Sequence, residues 1–162
     1  MAILEVLTRA ASTGRLGPVF VGAAWDDVTR ALGEAVDLGS FSRRRWPRLF
    51  AYGDLEIQVC GCRRVTLVCV QAWREEIELP PLLTGDDPVS PAGIAYDTVI
   101  TALDEIGCHW EPEPQGTFGS QRTIVVTHTG AAFTFESCED AGPWLNVLSL
   151  PGDGHECPPA AI

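Results

Sequence analysis

The chain contains no lysine. All 11 of its basic residues are arginine, set against 22 acids and a formal net charge of -11. A field of that sign repels nucleic acid and draws in basic partners, so a nucleic-acid binder is excluded at the outset. With abundant alanine, glycine, proline and valine, the missing lysine reads as the translation bias of a GC-rich bacterial genome. There is no run of about 18 apolar residues, so neither a membrane-spanning helix nor a membrane partner is expected. The first residues, Met1 to Arg9, are broken by Glu5 and lack the basic head and continuous apolar stretch of a secretory leader. Their expected setting is the cytoplasm. Catalytic signatures are missing as well: no Gly-x-Ser-x-Gly elbow, no phosphate-cradling glycine loop and no His-Glu-x-x-His helix. No catalytic residue is assigned, and the chain is not expected to be an enzyme.

What is present is a soluble globular composition, 46% apolar and 20% charged. The charge is unevenly spread. Up to Leu79, Arg9, Arg15, Arg30, Arg43, Arg44, Arg45, Arg48, Arg63, Arg64 and Arg74 roughly balance the acids. Beyond Leu79, Arg122 alone faces 12 acids, so the second half carries essentially the whole net charge.

Six cysteines are present: Cys60, Cys62, Cys69, Cys108, Cys138 and Cys157. In a reducing compartment they read as small buried hydrophobes with free thiols. As metal ligands the candidates are Cys60-Gly-Cys62 together with Cys108-His109 or with His155-Glu-Cys157. Neither spacing is the C-x2-C pair that dominates structural zinc sites, so no metal and no cofactor are expected. His128, placed at the end of a strand, reads as a structural or surface histidine. Glu111 and Glu113, separated by proline, read as a solvated loop and not as an acid–base pair.

The most informative positive feature is an internal repeat. Residues 22–32 align without a gap on residues 93–103, matching Gly22 with Gly93, Trp25 with Tyr96, Asp26 with Asp97, Val28 with Val99, Ala31 with Ala102 and Leu32 with Leu103. Each copy is an amphipathic helix. Trp25, Val28, Ala31 and Leu32 form one apolar face, and Tyr96, Val99, Ala102, Leu103 and Ile106 the other. Acids open both helices, and Gly33 and Gly107 end them, Gly33 as a left-handed cap. The aromatic residues read as core.

After each helix the period changes to two. Leu49–Tyr52 turns through Gly53-Asp54 into Leu55–Val59, and residues 60–63 turn the chain into Val65–Gln71. In the second copy Thr123–His128, Ala131–Glu136 and Trp144–Leu150 repeat the plan. A fourth strand is placed at Arg74–Leu79. A leading helix is read over Ile3–Ala11, with Ser12-Thr13-Gly14 as its stop and Leu16–Gly22 as an extended link. The resulting division is a first helix-and-sheet unit at 1–79, a proline-rich connector at 80–92, a second unit at 93–152 and a loose tail at 153–162.

A helix followed by an antiparallel sheet, twice, each opening on Gly-x-[small]-x-x-x-Val and closing on glycine, resembles the β-lactamase inhibitor protein fold shared by small outer-membrane assembly lipoproteins. Gly22, Val28 and Gly33 carry the likeness in the first copy, and Gly93, Val99 and Gly107 in the second. Ala24 and Ala95 stand where those families cap the helix with threonine. The resemblance implies an α+β fold of two tandem units whose sheets join into one concave surface that grips another protein. It also implies that Cys108 and Cys138 approach each other.

The function expected is therefore a non-catalytic protein-binding module. Its sharpest form is an acidic intracellular inhibitor of the immunity or antitoxin type, masking a basic enzyme. The candidate partner-binding residues are Trp46 within the arginine cluster 43–48, the loop residues Trp110, Glu111, Glu113 and Phe118, and Asp104 and Glu105. The arginine cluster docking on the acidic half is the alternative for that segment. A small-molecule or metal sensor using Cys and His, and a structural assembly factor, are the alternative functions.

Overall fold

A computed structural model describes residues 2–85, 87–152 and 155–158. Helix α1 covers Ile3–Thr13 and buries Val6, Leu7, Ala10 and Ala11 at helical spacing. Gly14 caps it with φ 71°, a left-handed conformation that glycine adopts freely. Leu16–Gly22 is not merely an extended link: β1 (Arg15–Leu16) and β2 (Val19–Phe20) pair there. Helix α2 (Trp25–Leu32) follows, then β3 (Val36–Ser40), β4 (Arg48–Tyr52), β5 (Leu55–Val59), β6 (Val65–Gln71) and β7 (Glu76–Glu78). The connector carries the short α3 (Pro81–Thr84) and β8 (Val89–Pro91). Helix α4 (Tyr96–Glu105) leads to β9 (Trp110–Pro112), a 3-10 turn at Pro114–Gly116, β10 (Gln121–Val126), β11 (Ala132–Cys138) and β12 (Ala141–Pro151).

The architecture is mixed α+β around one large antiparallel sheet of eight strands, in the order β3-β4-β5-β6-β12-β11-β10-β9. Strands β3–β6 come from the first half of the chain and β9–β12 from the second. They meet where β6 pairs with β12, Cys69 opposite Ser149 and Leu67 opposite Pro151.

Alternation fixes the two faces. Leu55, Ile57, Val68, Val70, Leu148, Phe133, Phe135 and Ile124 point into the core with the buried stripes of α1, α2 and α4. Trp25 stacks on Phe50 at 4.5 Å between ring centroids, and Tyr96 meets Phe135 edge-on at 5.0 Å. The repeated aromatic thus serves the core in both copies. The opposite face carries the half-buried residues Glu56, Cys69, Gln71, Thr134, Val147 and Ser149.

Several expectations need correction. Arg74–Leu79 does not extend the main sheet: β7 pairs with β8 of the connector, because Asp54 holds the Glu78 backbone at the β4–β5 turn. The fourth strands are instead β3 and β9. Both are edge strands without a buried period-two pattern, which is why the sequence conceals them. Trp110 and Glu111 accordingly lie in a strand and not in a loop. His128 falls in the β10–β11 turn, beyond the end of β10 at Val126.

Gly33 has φ 87° and ψ -161°, so it ends α2 without the left-handed cap geometry. Ala31, inside α2, and Ile106, just past the end of α4, are exposed and do not join the apolar faces. Neither Ala24 nor Ala95 supplies a side-chain cap. Backbone groups compensate at α2, where the Trp25 N–H donates to the Arg63 carbonyl at 2.9 Å. All six cysteines are free thiols, so Cys108 and Cys138 are not bonded. Of the tail read at 153–162, only residues 155–158 are described, and they fold back against the turn between β5 and β6.

Candidate functional site

The β5–β6 turn brings the first pair of donors into place. The Arg63 N–H closes a turn on the Cys60 carbonyl at 2.9 Å, with Arg63 itself at φ 59°. That turn sets the sulfurs of Cys60 and Cys62 3.0 Å apart. The second pair arrives from 93 and 95 residues further on. His155 Nε2 lies 2.8 Å from Cys62 Sγ, and Cys157 Sγ lies 3.6 Å from it. The four ligand atoms of Cys60, Cys62, His155 and Cys157 all lie within 4.8 Å of one another.

Cys60 is buried and the other three are exposed. Trp46 flanks the cluster: a Cβ at Gly61 would come within 3.6 Å of it. A cleft of about 940 Å3 beside the cluster is lined by Arg44, Arg45, Trp46 and the donors themselves.

The donors differ electrostatically. Backbone N–H groups of Cys62 and Gly61 point at Cys157, and the Cys62 bond leads in bringing that thiol down to about 7. The hydrogen bond between Cys62 and Cys60, followed by desolvation, pushes the Cys62 thiol up to about 12. The thiols of Cys69, on the sheet face away from the core, and of Cys108, in the core, are raised chiefly by burial. Three sulfurs and one imidazole nitrogen so close together make a thiophilic metal-binding set, with donor types matching a Cys3His centre. Of the two pairings open in the sequence, Cys60-Cys62 meets His155-Cys157 and not Cys108-His109.

The residues assigned to partner binding fall into two separate groups. Trp46 is half-buried at the first-half end of the sheet, beside the cysteines and packed against the core. The rest gather at the other edge, around β9, six strands away from β4 and so about 29 Å at ~4.8 Å per strand. There Trp110 is half-buried, and its indole Nε1 donates to Asp104 Oδ1 at 3.0 Å. Glu113 accepts from the Gln115 N–H at 3.0 Å and holds the 3-10 turn, a structural duty. Glu105, Glu111 and Phe118 are exposed, Phe118 at 65%.

The charge separation foreseen in the sequence persists in space. Every ion pair among the described residues joins two groups of the first half: Arg9–Glu5, Arg30–Asp27, Arg48–Asp37, Arg63–Asp26 and Arg74–Asp54. None reaches an acid of the second half, so docking of the arginine cluster on that half has no ion pair behind it. Arg122 lies 4.7 Å over the Tyr96 ring.

His128 has a structural role. Its Nε2 sits 2.6 Å from the Ser12 carbonyl, and Thr129 Oγ1 donates to the Ala11 carbonyl at 2.6 Å. Together they meet carbonyls that α1 leaves open at its C-terminus.

No family model, characterised protein or solved structure matches this chain.

Proposed function

We propose that this protein is a non-catalytic binding module that docks a basic protein partner through the acidic edge built by the end of α4 and by β9. The observation carrying this reading is the placement of Asp104 and Glu105 in the last turn of α4. The helix dipole disfavours acids there by about 0.3–1 kcal/mol each at exposed positions. Glu111 stands exposed on the neighbouring strand, and no ion pair among the described residues offsets any of the three. Charge kept where it opposes stability fits a surface whose counter-charge comes from a partner. Phe118 and the Trp110 ring offer apolar contact beside it.

The sharper form of the proposal is a cytoplasmic bacterial inhibitor of the immunity or antitoxin type, whose acids stand in for the polyanionic substrate of a basic enzyme. The tandem-unit resemblance supports it through matched hydrogen bonds. The Ala23 carbonyl accepts from the Val65 N–H at 2.9 Å, and the Ile94 carbonyl accepts from the Leu145 N–H at 2.8 Å. Both acceptors precede their helices at the same repeat offset, and both donors lie in the last main-sheet strand of their half. Since fold does not fix function, the charge pattern weighs more than the likeness.

The test is capture by the tagged full chain from its host's lysate at low and high salt, beside an Asp104→Asn/Glu105→Gln/Glu111→Gln variant. The expected result is a basic protein held at low salt by the wild type, released at high salt, and not held by the variant. Equal capture by the variant, with the same salt dependence, contradicts the acidic edge. Trp110 and Glu113 are poorer probes, because each also supports local structure.

A further inference from the structure

We propose that Cys60, Cys62, His155 and Cys157 bind a single zinc ion in a closed, structural Cys3His site that clasps the segment following β12 to the β5–β6 turn. This inference stands apart from the partner-binding proposal and rests on different residues. Four donors of the right type converge from two segments more than 90 residues apart. Nothing else in the sequence pattern of either segment explains that convergence. Cys60 is buried, but Cys62, His155 and Cys157 are exposed, so three of the four donors do not meet through burial in a hydrophobic core.

The geometry fits the ion. With Zn–S near 2.3 Å and Zn–N near 2.0–2.1 Å, tetrahedral angles set sulfurs about 3.8 Å apart and sulfur and nitrogen about 3.6 Å apart. The observed 3.0, 3.6 and 2.8 Å require the donors to spread by less than about 1 Å. Both pairs are separated by a single residue, and each offers its two donors to the same point. Four protein donors leave no open position, so the ion serves stability and not catalysis.

Three thiolates and one Zn2+ leave a single negative charge, facing a cleft lined by Arg44 and Arg45. Binding releases the thiol protons to solvent, so affinity rises with pH.

The position explains what the clasp would do. Strand β12 ends at Pro151, opposite Leu67 of β6, and the chain then reaches the turn that precedes β6. The ion would close a loop of about 93 residues at one end of the β6–β12 seam. Closing a long loop removes the most entropy from the unfolded chain.

The test is metal content of the full chain, expressed with zinc and purified reduced and without chelator. One equivalent of zinc is expected in the wild type and in Cys69→Ser and Cys138→Ser. Cys62→Ser and His155→Ala should each lose about 90% of it or more. Because His155 and Cys62 are exposed, these variants should keep the wild-type circular dichroism. Cobalt substitution should give the visible bands of a tetrahedral thiolate site in the wild type and not in the two variants. Wild-type protein with less than about a tenth of an equivalent and no cobalt bands overturns the proposal. So does zinc content undiminished by either variant, or a reduced chain that takes up no metal and pairs these thiols on air oxidation.

Discussion

Asp54 sits in the β4–β5 turn with its side chain 7% exposed, and its carboxylate accepts the Glu78 N–H at 2.8 Å. Its own N–H donates to the Glu78 carbonyl at 2.8 Å, so this one residue docks β7 on the main sheet. Asp54→Ala leaves a part-buried N–H without its acceptor and should cost about 1–3 kcal/mol in urea unfolding, with Asp54→Asn losing less. Gly53 beside it has φ 60°, and a Cβ there would stand 2.6 Å from the Glu78 carbonyl oxygen, so Gly53→Ala should destabilise too. Asp37 offers a pH test. Its hydrogen bond with Arg48, then that from the Gly39 N–H, holds its carboxyl below the usual range. A carboxyl lowered in the folded state adds stability above its unfolded pKa and loses it as pH falls through the folded value. Carbon-detected NMR titration should therefore find Asp37 titrating below the ordinary aspartate value, and Arg48→Ala should raise it. At this scale the sequence marks Gly53-Asp54 as a turn, but it holds no sign of Glu78, 24 residues on.

Helix α1 and helix α4 end in opposite ways. The α1 carbonyls are met by His128 and Thr129 from the distant β10–β11 turn, so Thr129→Val should cost about 1 kcal/mol while leaving the fold intact. The end of α4 instead carries Asp104 and Glu105 against its dipole. Asp104→Asn keeps an acceptor for the Trp110 indole and removes the charge. Together with Glu105→Gln it should raise the free energy of unfolding in urea by about a few tenths of a kcal/mol or more, while weakening binding of the proposed basic partner. A variant that is less stable would argue against a surface kept at a cost.

Elements with a clear period were legible in sequence: α1, α2, α4 and the hairpins through Gly53-Asp54 and residues 60–63. Edge strands β3 and β9 were not, because a strand with one neighbour and exposed side chains leaves no alternating apolar signature. β7 was visible as a strand, but its partner in the proline-rich connector was not.

For the whole molecule, the decisive feature is the β6–β12 seam, which unites strands from both halves in one sheet. The acidic edge around β9 and the sulfur cluster beside β5 lie on opposite sides of that seam, so the proposed partner surface and the proposed metal site can be altered separately. Charge asymmetry could be read directly from sequence. The donor set could be read only as one of two pairings of Cys60-Cys62, with Cys108-His109 or with His155-Cys157, and the weak spacing argued against a metal; the fold decides between them by bringing His155 and Cys157 to the β5–β6 turn. If the clasp holds, zinc removal by a chelator should lower the thermal midpoint of the wild type and leave that of Cys62→Ser unchanged. The most direct measurement is zinc-edge X-ray absorption on protein purified with its metal. A closed Cys3His site gives three sulfur scatterers near 2.3 Å and one imidazole nitrogen near 2.0–2.1 Å. A shell of oxygen and nitrogen alone, or fewer than three sulfurs, would contradict it.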